Sequence, residues 1–158
     1  MRSSLVRAAL ASALALAALS CASSSVFQLS VDERAALRMA MDTPLSLVVP
    51  RDQSIRTWDR AQEFLDRYST MRLRSVTDSA LVTYELPAIQ TDPSPVAPGS
   101  GIRFGYSVSR AVDPDGIRIA VKCTPSSTLG EKDADQNAHI AVYFIKTGSL
   151  ACERCIVR

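Results

Sequence analysis

Two runs of alternating residues on either side of a tight turn constrain the fold of this chain more than any other feature. Apolar residues alternate with polar or small ones in 102–109, and the same alternation returns in 117–123. A period of two is typical of a strand with one buried face. The intervening Asp113-Pro114-Asp115-Gly116 suits a type I turn with a bulge. We therefore predict a long hairpin, whose core-facing residues are Ile102, Phe104, Tyr106, Val108, Ile117, Ile119, Val121 and Cys123.

A second, shorter hairpin is predicted around the turn Thr77-Asp78-Ser79. Met71 and Leu73 alternate with arginines before this turn, which is the pattern of a half-buried strand. After the turn, the expected core-facing residues are Ala80, Val82, Tyr84 and Leu86. A further short β-prone run, residues 45–49, is closed by Pro50.

Two main helices are predicted from apolar residues that recur every three or four positions. The first begins at Asp52 or Ser54 and ends at Tyr68; its inner stripe is Ile55, Trp58, Ala61, Phe64 or Leu65, and Tyr68. The second spans 131–147 and ends at Gly148, which is typical of a helix C-cap; its inner stripe is Ala134, Ala138, Ala141, Val142 and Ile145. Residues 31–41 favour a short additional helix. We expect Trp58 to pack in the core.

These elements follow one another in the order β-α-β-β-β-β-α, with the short helix in front. One sheet offers one apolar face, so both main helices must bury their stripes against it. We therefore predict an α+β fold with a single antiparallel sheet of about four to five strands and two main helices on one face. This domain would comprise residues 45–158.

The order of elements, with Val48-Val49-Pro50 leading into a helix that carries Trp58 and Leu65, resembles the helix-grip domains of small bacterial envelope lipoproteins. The C subunit of the outer-membrane β-barrel assembly machinery is one such protein. The resemblance covers roughly residues 45–147 and includes no motif of functional residues. It implies a non-enzymatic accessory or binding domain anchored in the outer membrane.

The N-terminus predicts export. Arg2 and Arg7 precede a charge-free apolar run, Ala8 to Leu19, which is short for a membrane span and typical of a signal peptide. The run ends in Ala18-Leu19-Ser20-Cys21, which resembles a lipobox. This resemblance implies removal of residues 1–20 and acylation of Cys21, with 21–44 as a lipidated tether and short helix. The alternative is an ordinary signal cleaved after Ala22 and a soluble periplasmic protein.

The charge balance excludes nucleic acid as a partner. Without Arg2 and Arg7, the 18 basic residues are reduced to as many as the 16 acidic ones. Nucleic acid and anionic lipid require clustered positive charge, which a balanced surface lacks. We therefore expect contact with the membrane through the lipid anchor alone.

Three further cysteines, Cys123, Cys152 and Cys155, are candidates for a disulfide in an oxidising compartment. Three pairings are possible, and the sequence does not choose among them. Cys152 and Cys155 also form a C-x-x-C motif, the arrangement of thiol oxidoreductases. Only residues 156–158 follow Cys155, so we expect no helix there and predict that the device that activates the first thiol in those enzymes is missing. Ile156, in place of histidine, disfavours c-type haem.

No cofactor, metal or catalytic residue is predicted. The three cysteines and His139 have the chemistry of zinc ligands. However, His139 lies away from the inner stripe of its helix, and we expect it to be solvated or hydrogen-bonded. His139 is the chain's single histidine, so the catalytic triad of a serine hydrolase would have to include it. No Gly-x-Ser-x-Gly motif is present to supply the nucleophile of such a triad.

The sequence therefore favours an outer-membrane lipoprotein that faces the periplasm and acts by binding or assembly with an envelope protein partner. The residues after Cys21, Ala22 and Ser23, favour outer-membrane sorting. Its predicted contact surfaces are the proline-rich loop 87–101 and an open sheet edge. Two alternatives remain: a periplasmic thiol protein that uses Cys152 and Cys155, and a small-ligand carrier with a cavity near Trp58 and Tyr84.

Overall fold

The computed structural model describes residues 28–83 and 101–158. Within these ranges, three α-helices and five β-strands follow one another in the predicted order. They are α1 (Val31–Met41), β1 (Ser46–Val49), α2 (Ser54–Tyr68), β2 (Leu73–Val76), β3 (Ala80–Thr83), β4 (Phe104–Asp113), β5 (Gly116–Pro125) and α3 (Glu131–Thr147). Short 3-10 turns at Arg51–Gln53, Thr128–Gly130 and Glu153–Cys155 complete the described chain. Several predicted features lie outside the described residues, namely the predicted signal peptide, Cys21, Tyr84, Leu86 and most of the proline-rich loop.

The five strands form one antiparallel sheet in the order β1-β5-β4-β3-β2. The predicted long hairpin is its centre: β4 and β5 pair along their whole length, from Phe104 opposite Pro125 to Asp113 opposite Gly116. The edge strands β1 and β2 are each four residues long. The α+β fold with a single antiparallel sheet is confirmed.

The two main helices share one face of the sheet, where the core lies. The buried ring of Phe64 in α2 lies 5.7 Å from that of Tyr106 in β4 and 5.8 Å from that of Phe144 in α3, measured between centroids. The predicted inner stripe of α3 is entirely buried. This helix ends where predicted, with Gly148 in the left-handed conformation at φ 78°. The aromatic contacts join both helices to the centre of the sheet.

The face of strand β3 that is buried in the core is the opposite of the predicted one. Leu81 and Thr83 are buried, whereas Ala80 and Val82 are half-buried on the other side. The reason is the register with β4, which places Leu81 beside inward-facing Val108. The hydroxyl of inward-facing Thr83 accepts a hydrogen bond from the Tyr106 N–H at 2.9 Å, so its burial leaves it satisfied.

The turn between β4 and β5 depends on a glycine. Gly116 has φ 154°, and a Cβ at this position would lie 2.2 Å from the carbonyl oxygen of Val49. The close approach lets β1 pair with β5 as far as Val49 opposite Ile117. Any larger residue at 116 would push these strands apart.

Candidate functional site

The C-terminal cysteines form the most conspicuous predicted site, and the structure joins them to each other. The Sγ atoms of Cys152 and Cys155 are 2.06 Å apart, which is a disulfide, and Cys123 is a free thiol. The two joined cysteines are 3% and 9% exposed. Of the three possible pairings, the structure has the one that closes the shortest loop.

Polar side chains of α3 hold the tail that carries this disulfide. Asn137 is fully buried; its Nδ2 donates to the carbonyl oxygen of Val157 at 2.9 Å, and its Oδ1 accepts from the Val157 N–H at 3.0 Å. Gln136 Nε2 donates to the carbonyl oxygen of Cys155 at 2.7 Å. The amide of Asn137 therefore satisfies both backbone groups of Val157, as a neighbouring strand would.

An ion pair joins the same tail to α1. Arg154 Nη2 lies 2.8 Å from Glu33 Oε1, and Arg154 Nε donates to the same oxygen at 3.0 Å. Because both side chains are partly exposed, solvent screens this pair and its contribution to stability is small. It nevertheless places the disulfide turn against two helices.

The surroundings of Cys152 differ from those of a reactive thiol. The residue has extended backbone, with φ −166°, and is followed by the 3-10 turn Glu153–Cys155. Catalytic C-x-x-C motifs lie at the N-terminus of an α-helix, whose dipole stabilises the thiolate. This arrangement is that of a structural cross-link.

The free thiol of Cys123 is also poorly suited to nucleophilic chemistry. Cys123 in β5 lies opposite Tyr106 in β4, on the helix-facing side of the sheet. Burial raises the pKa of the Cys123 thiol to about 12, although hydrogen bonds to Tyr106 and to the Thr124 backbone oppose this shift. Burial, with the neighbouring Cys123, also raises the pKa of the Tyr106 hydroxyl. Both groups therefore stay protonated at neutral pH.

His139 is hydrogen-bonded, as predicted, and has a structural position. Its Nδ1 lies 2.8 Å from the carbonyl oxygen of Thr43, to which it donates, and its Nε2 lies 3.9 Å from Asp135 Oδ1. The first contact ties α3 to the segment that follows α1. Among the described residues, no group of three or more His, Cys, Asp or Glu side chains could hold a metal ion.

A shallow depression of about 420 Å³ offers a different kind of site. It lies between the first turn of α2, the β2–β3 turn and the end of the β4–β5 hairpin. Ile55, Val112 and Ile117 provide its apolar lining, with Ser54 and Ser79 at its polar margin. Ile55 is 71% exposed and Val112 is 79% exposed. Two aliphatic side chains of this concave surface thus project into solvent. Arg110 also lines the surface, which we call the Arg110 depression.

Arg110 is fixed in this depression by an aromatic ring and by backbone. Its guanidinium carbon lies 4.7 Å from the ring centroid of Trp58, which is 6% exposed. Its Nε donates to the carbonyl oxygen of Asp78, and its backbone N–H donates to the carbonyl oxygen of Ser79 at 2.8 Å. A guanidinium over an indole face is held by the ring quadrupole and loses little freedom when it binds a ligand.

The positive charge of Arg110 lacks a counter-ion in the part of the chain that the structure describes. None of the ion pairs between described residues includes Arg110. Asp78 also lines the depression, but its contact with Arg110 is through the backbone carbonyl. The terminal nitrogens of the guanidinium make no hydrogen bond within residues 28–83 and 101–158, and they are therefore available to an external acceptor.

Sequence reasoning missed the Arg110 depression. It expected Ile55 in the inner stripe of α2, but Ile55 lies in the first turn and is exposed. The missed signal was the alternation of β4, which continues past Val108 and places Arg110 and Val112 on the helix-facing side. A charged residue on the apolar side of a strand needs a partner, and here that partner is Trp58. Trp58 packs in the core as predicted, while one face of its ring carries the cation.

No protein-family model matches this chain, and no curated protein or solved structure matches it at a significant level. The resemblance to helix-grip lipoprotein domains therefore stays a prediction. None of the helices in the described ranges is long and apolar enough to cross a membrane.

Proposed function

We propose that the protein is a bacterial cell-envelope lipoprotein, anchored in the outer membrane through acylated Cys21, whose periplasmic domain acts by binding without catalysis. The sequence from Arg2 to Cys21 carries this proposal, because it combines a positive n-region, an apolar run and a terminal cysteine. Acyl chains on Cys21 give that cysteine a purpose. The partner would be another protein of the envelope.

Three features of the fold support this proposal, one for the compartment and two for a binding role. The Cys152–Cys155 disulfide suits an oxidising compartment such as the periplasm. The Arg110 depression presents exposed aliphatic side chains around a fixed cation, which is the composition of a contact surface. Strands β1 and β2, which have no further strand beside them among the described residues, offer further contact sites of the kind predicted from the sequence.

A thiol or redox role for Cys152 and Cys155 is the second candidate, because the two residues do form a disulfide. Their burial and the lack of an α-helix at Cys152 favour the structural role instead. A redox protein would need a bond that exchanges readily with mild reductants. Resistance of the bond to such reductants in the native protein would eliminate this candidate.

Intact mass of the full chain expressed in a Gram-negative host tests the proposal. We expect loss of residues 1–20 and a diacyl- or triacyl-glyceryl mass on Cys21. In denaturant, one thiol should alkylate without reductant, namely Cys123, and three should alkylate after reduction. Separated inner and outer membranes should place the protein in the outer membrane.

Two cysteine variants control this experiment. Cys21→Ser should lose the lipid mass and leave the precursor unprocessed, whereas Cys123→Ser should keep the lipid and show no alkylation without reductant. Cleavage after Ala22 without a lipid mass would overturn the anchor. If Cys123, Cys152 and Cys155 all alkylate before any reductant is added, the disulfide does not form in the cell.

A further inference from the structure

We propose that the Arg110 depression binds an extended segment of a partner protein in which an aliphatic side chain stands next to a carboxylate. This inference rests on the proposed binding function and specifies the chemistry of the partner. The aliphatic side chain would lie between Ile55 and Val112, over Ile117. The carboxylate would accept hydrogen bonds from the terminal nitrogens of the Arg110 guanidinium.

The charge of Arg110 argues for the carboxylate. The contact with the Trp58 ring and the bond from Nε to the Asp78 carbonyl hold the guanidinium in place before any ligand arrives. Within the described ranges, no carboxylate lies within ion-pairing distance of this charge. A planar guanidinium with both terminal nitrogens available matches the two oxygens of a carboxylate, and such charge-assisted pairs are stronger than neutral hydrogen bonds.

The shape of the depression argues for a protein segment over an acyl chain. Its two aliphatic walls, Ile55 and Val112, are mostly exposed, so the site is open. Small-molecule sites usually enclose most of the ligand surface, which a long acyl chain would require. An open surface of this size accommodates one or two side chains of an extended peptide, with the rest of the partner lying outside it.

Trp58 provides the readout, because it is the single tryptophan of the chain and lies against the guanidinium. The mature protein, purified from the cell envelope, would be titrated with three blocked amino acids while tryptophan fluorescence is recorded. N-acetyl-leucine has both required groups. N-acetyl-leucinamide lacks the carboxylate, and N-acetylglycine lacks the aliphatic side chain.

We expect N-acetyl-leucine to bind in the millimolar range and about tenfold more tightly than either of the other two probes. The amide loses one charge-assisted contact and N-acetylglycine loses the burial of an aliphatic side chain, and each loss has roughly that effect. Arg110→Lys should weaken its binding about tenfold, because lysine lacks the planar fork. Asp78→Asn should strengthen binding about twofold by removing a nearby negative charge. Lys122→Gln, on the opposite face of the sheet, should have no effect and serves as the control.

Val112→Glu separates this proposal from a change in folding. The new carboxylate would lie two residues from Arg110 on the same side of β4 and compete with the probe. Because Val112 is 79% exposed, the variant should unfold at the same urea concentration as the wild type while losing the fluorescence response to N-acetyl-leucine.

Three results would overturn the inference. These are equal binding of N-acetyl-leucine and its amide, an Arg110→Lys variant that responds like Lys122→Gln, or no response to any probe. The last experiment measures binding to vesicles of phosphatidylglycerol. If the protein binds these vesicles through Arg110 and Val112 but does not bind N-acetyl-leucine, the depression is a lipid-facing surface. A lipid mass on Cys21 together with any of these results would retain the anchor and reject the binding site.

Discussion

The C-terminal tail and the Arg110 depression use their polar groups in opposite ways. In the tail, Asn137 and Gln136 satisfy backbone groups of residues 155–157, and Arg154 pairs with Glu33. In the depression, Arg110 is held by a ring and a carbonyl while its charge stays without a carboxylate among the described residues. The conspicuous C-x-x-C motif has the surroundings of a structural cross-link, whereas an arginine outside any motif has the surroundings of a binding residue.

Replacing Asn137 with Ala should have the largest effect on the tail. The change removes two hydrogen bonds and leaves both backbone groups of Val157 without their partner, at a cost of about 2 to 3 kcal/mol in the free energy of unfolding. Urea unfolding followed by Trp58 fluorescence measures it. Gln136→Ala, which removes one bond, is the matched control and should cost about 1 kcal/mol. A loss below about 0.5 kcal/mol for Asn137→Ala would refute a structural role for the tail.

Removing the disulfide should cost less. A bond between residues three apart restricts the unfolded chain weakly, so the double variant Cys152→Ser, Cys155→Ser should lose about 2 kcal/mol or less. The same urea experiment measures this loss, and combining it with Asn137→Ala tests whether the two features act on one segment. Fully additive losses of stability would show that the disulfide and Asn137 act independently. N-acetyl-leucine binding to the disulfide-free variant should be unchanged, because the tail and the depression share no residue.

Truncation of the exposed aliphatic residues should barely change stability. Ile55→Ser and Val112→Ser alter side chains that are mostly in solvent, and each should change the free energy of unfolding by about 0.5 kcal/mol or less. Both should nevertheless weaken N-acetyl-leucine binding. If either variant destabilises the fold by several times that amount, the residue belongs to the core and the comparison between the two regions fails.

The smallest effect is expected for the turn next to the depression, and it depends on pH. The Asp115 backbone N–H, and then Arg118, lower the pKa of the Asp113 carboxyl. A lowered pKa in the folded state stabilises the fold above the ordinary carboxyl range, and this contribution is lost as pH falls through the folded-state value. Asp113→Asn should therefore reduce the loss of stability between about pH 5 and pH 3.

Urea midpoints at several pH values, with Asp115→Asn as the control, measure the effect at the turn. The Asp115 side chain takes no part in the ion pair with Arg118, so this control should follow the wild-type profile. An unchanged acid profile for Asp113→Asn would show that the turn is held without its carboxylate.

Most of the fold followed from local patterns, and the exceptions have identifiable causes. The period of α3 and its terminal glycine predicted both ends of that helix, and the alternation of β4 predicted its buried face. In β3, however, Ala80, Leu81 and Val82 are consecutive apolar residues, so no alternation distinguishes one face from the other. Ile55 matched the stripe of α2, but a periodic pattern does not show where a helix extends past its sheet.

The candidate site was less accessible to sequence reasoning. The C-x-x-C motif identified two cysteines, and the residues around them offered three pairings without a preference. Arg110 lay outside every motif, since its importance comes from Trp58, which is 52 positions earlier in the chain. Contacts between distant residues leave no local period, and a single sequence therefore conceals them.

The sequence by itself determined the order of the helices and strands and the α+β class, because periodicity and turn residues are local properties; the export signal at the N-terminus stays a prediction. The tertiary structure decided which cysteines pair, which face of β3 is buried and that Arg110 lies over Trp58. These depend on strand register and on how helices rest on the sheet, and both are set by the burial of apolar surface across the whole domain.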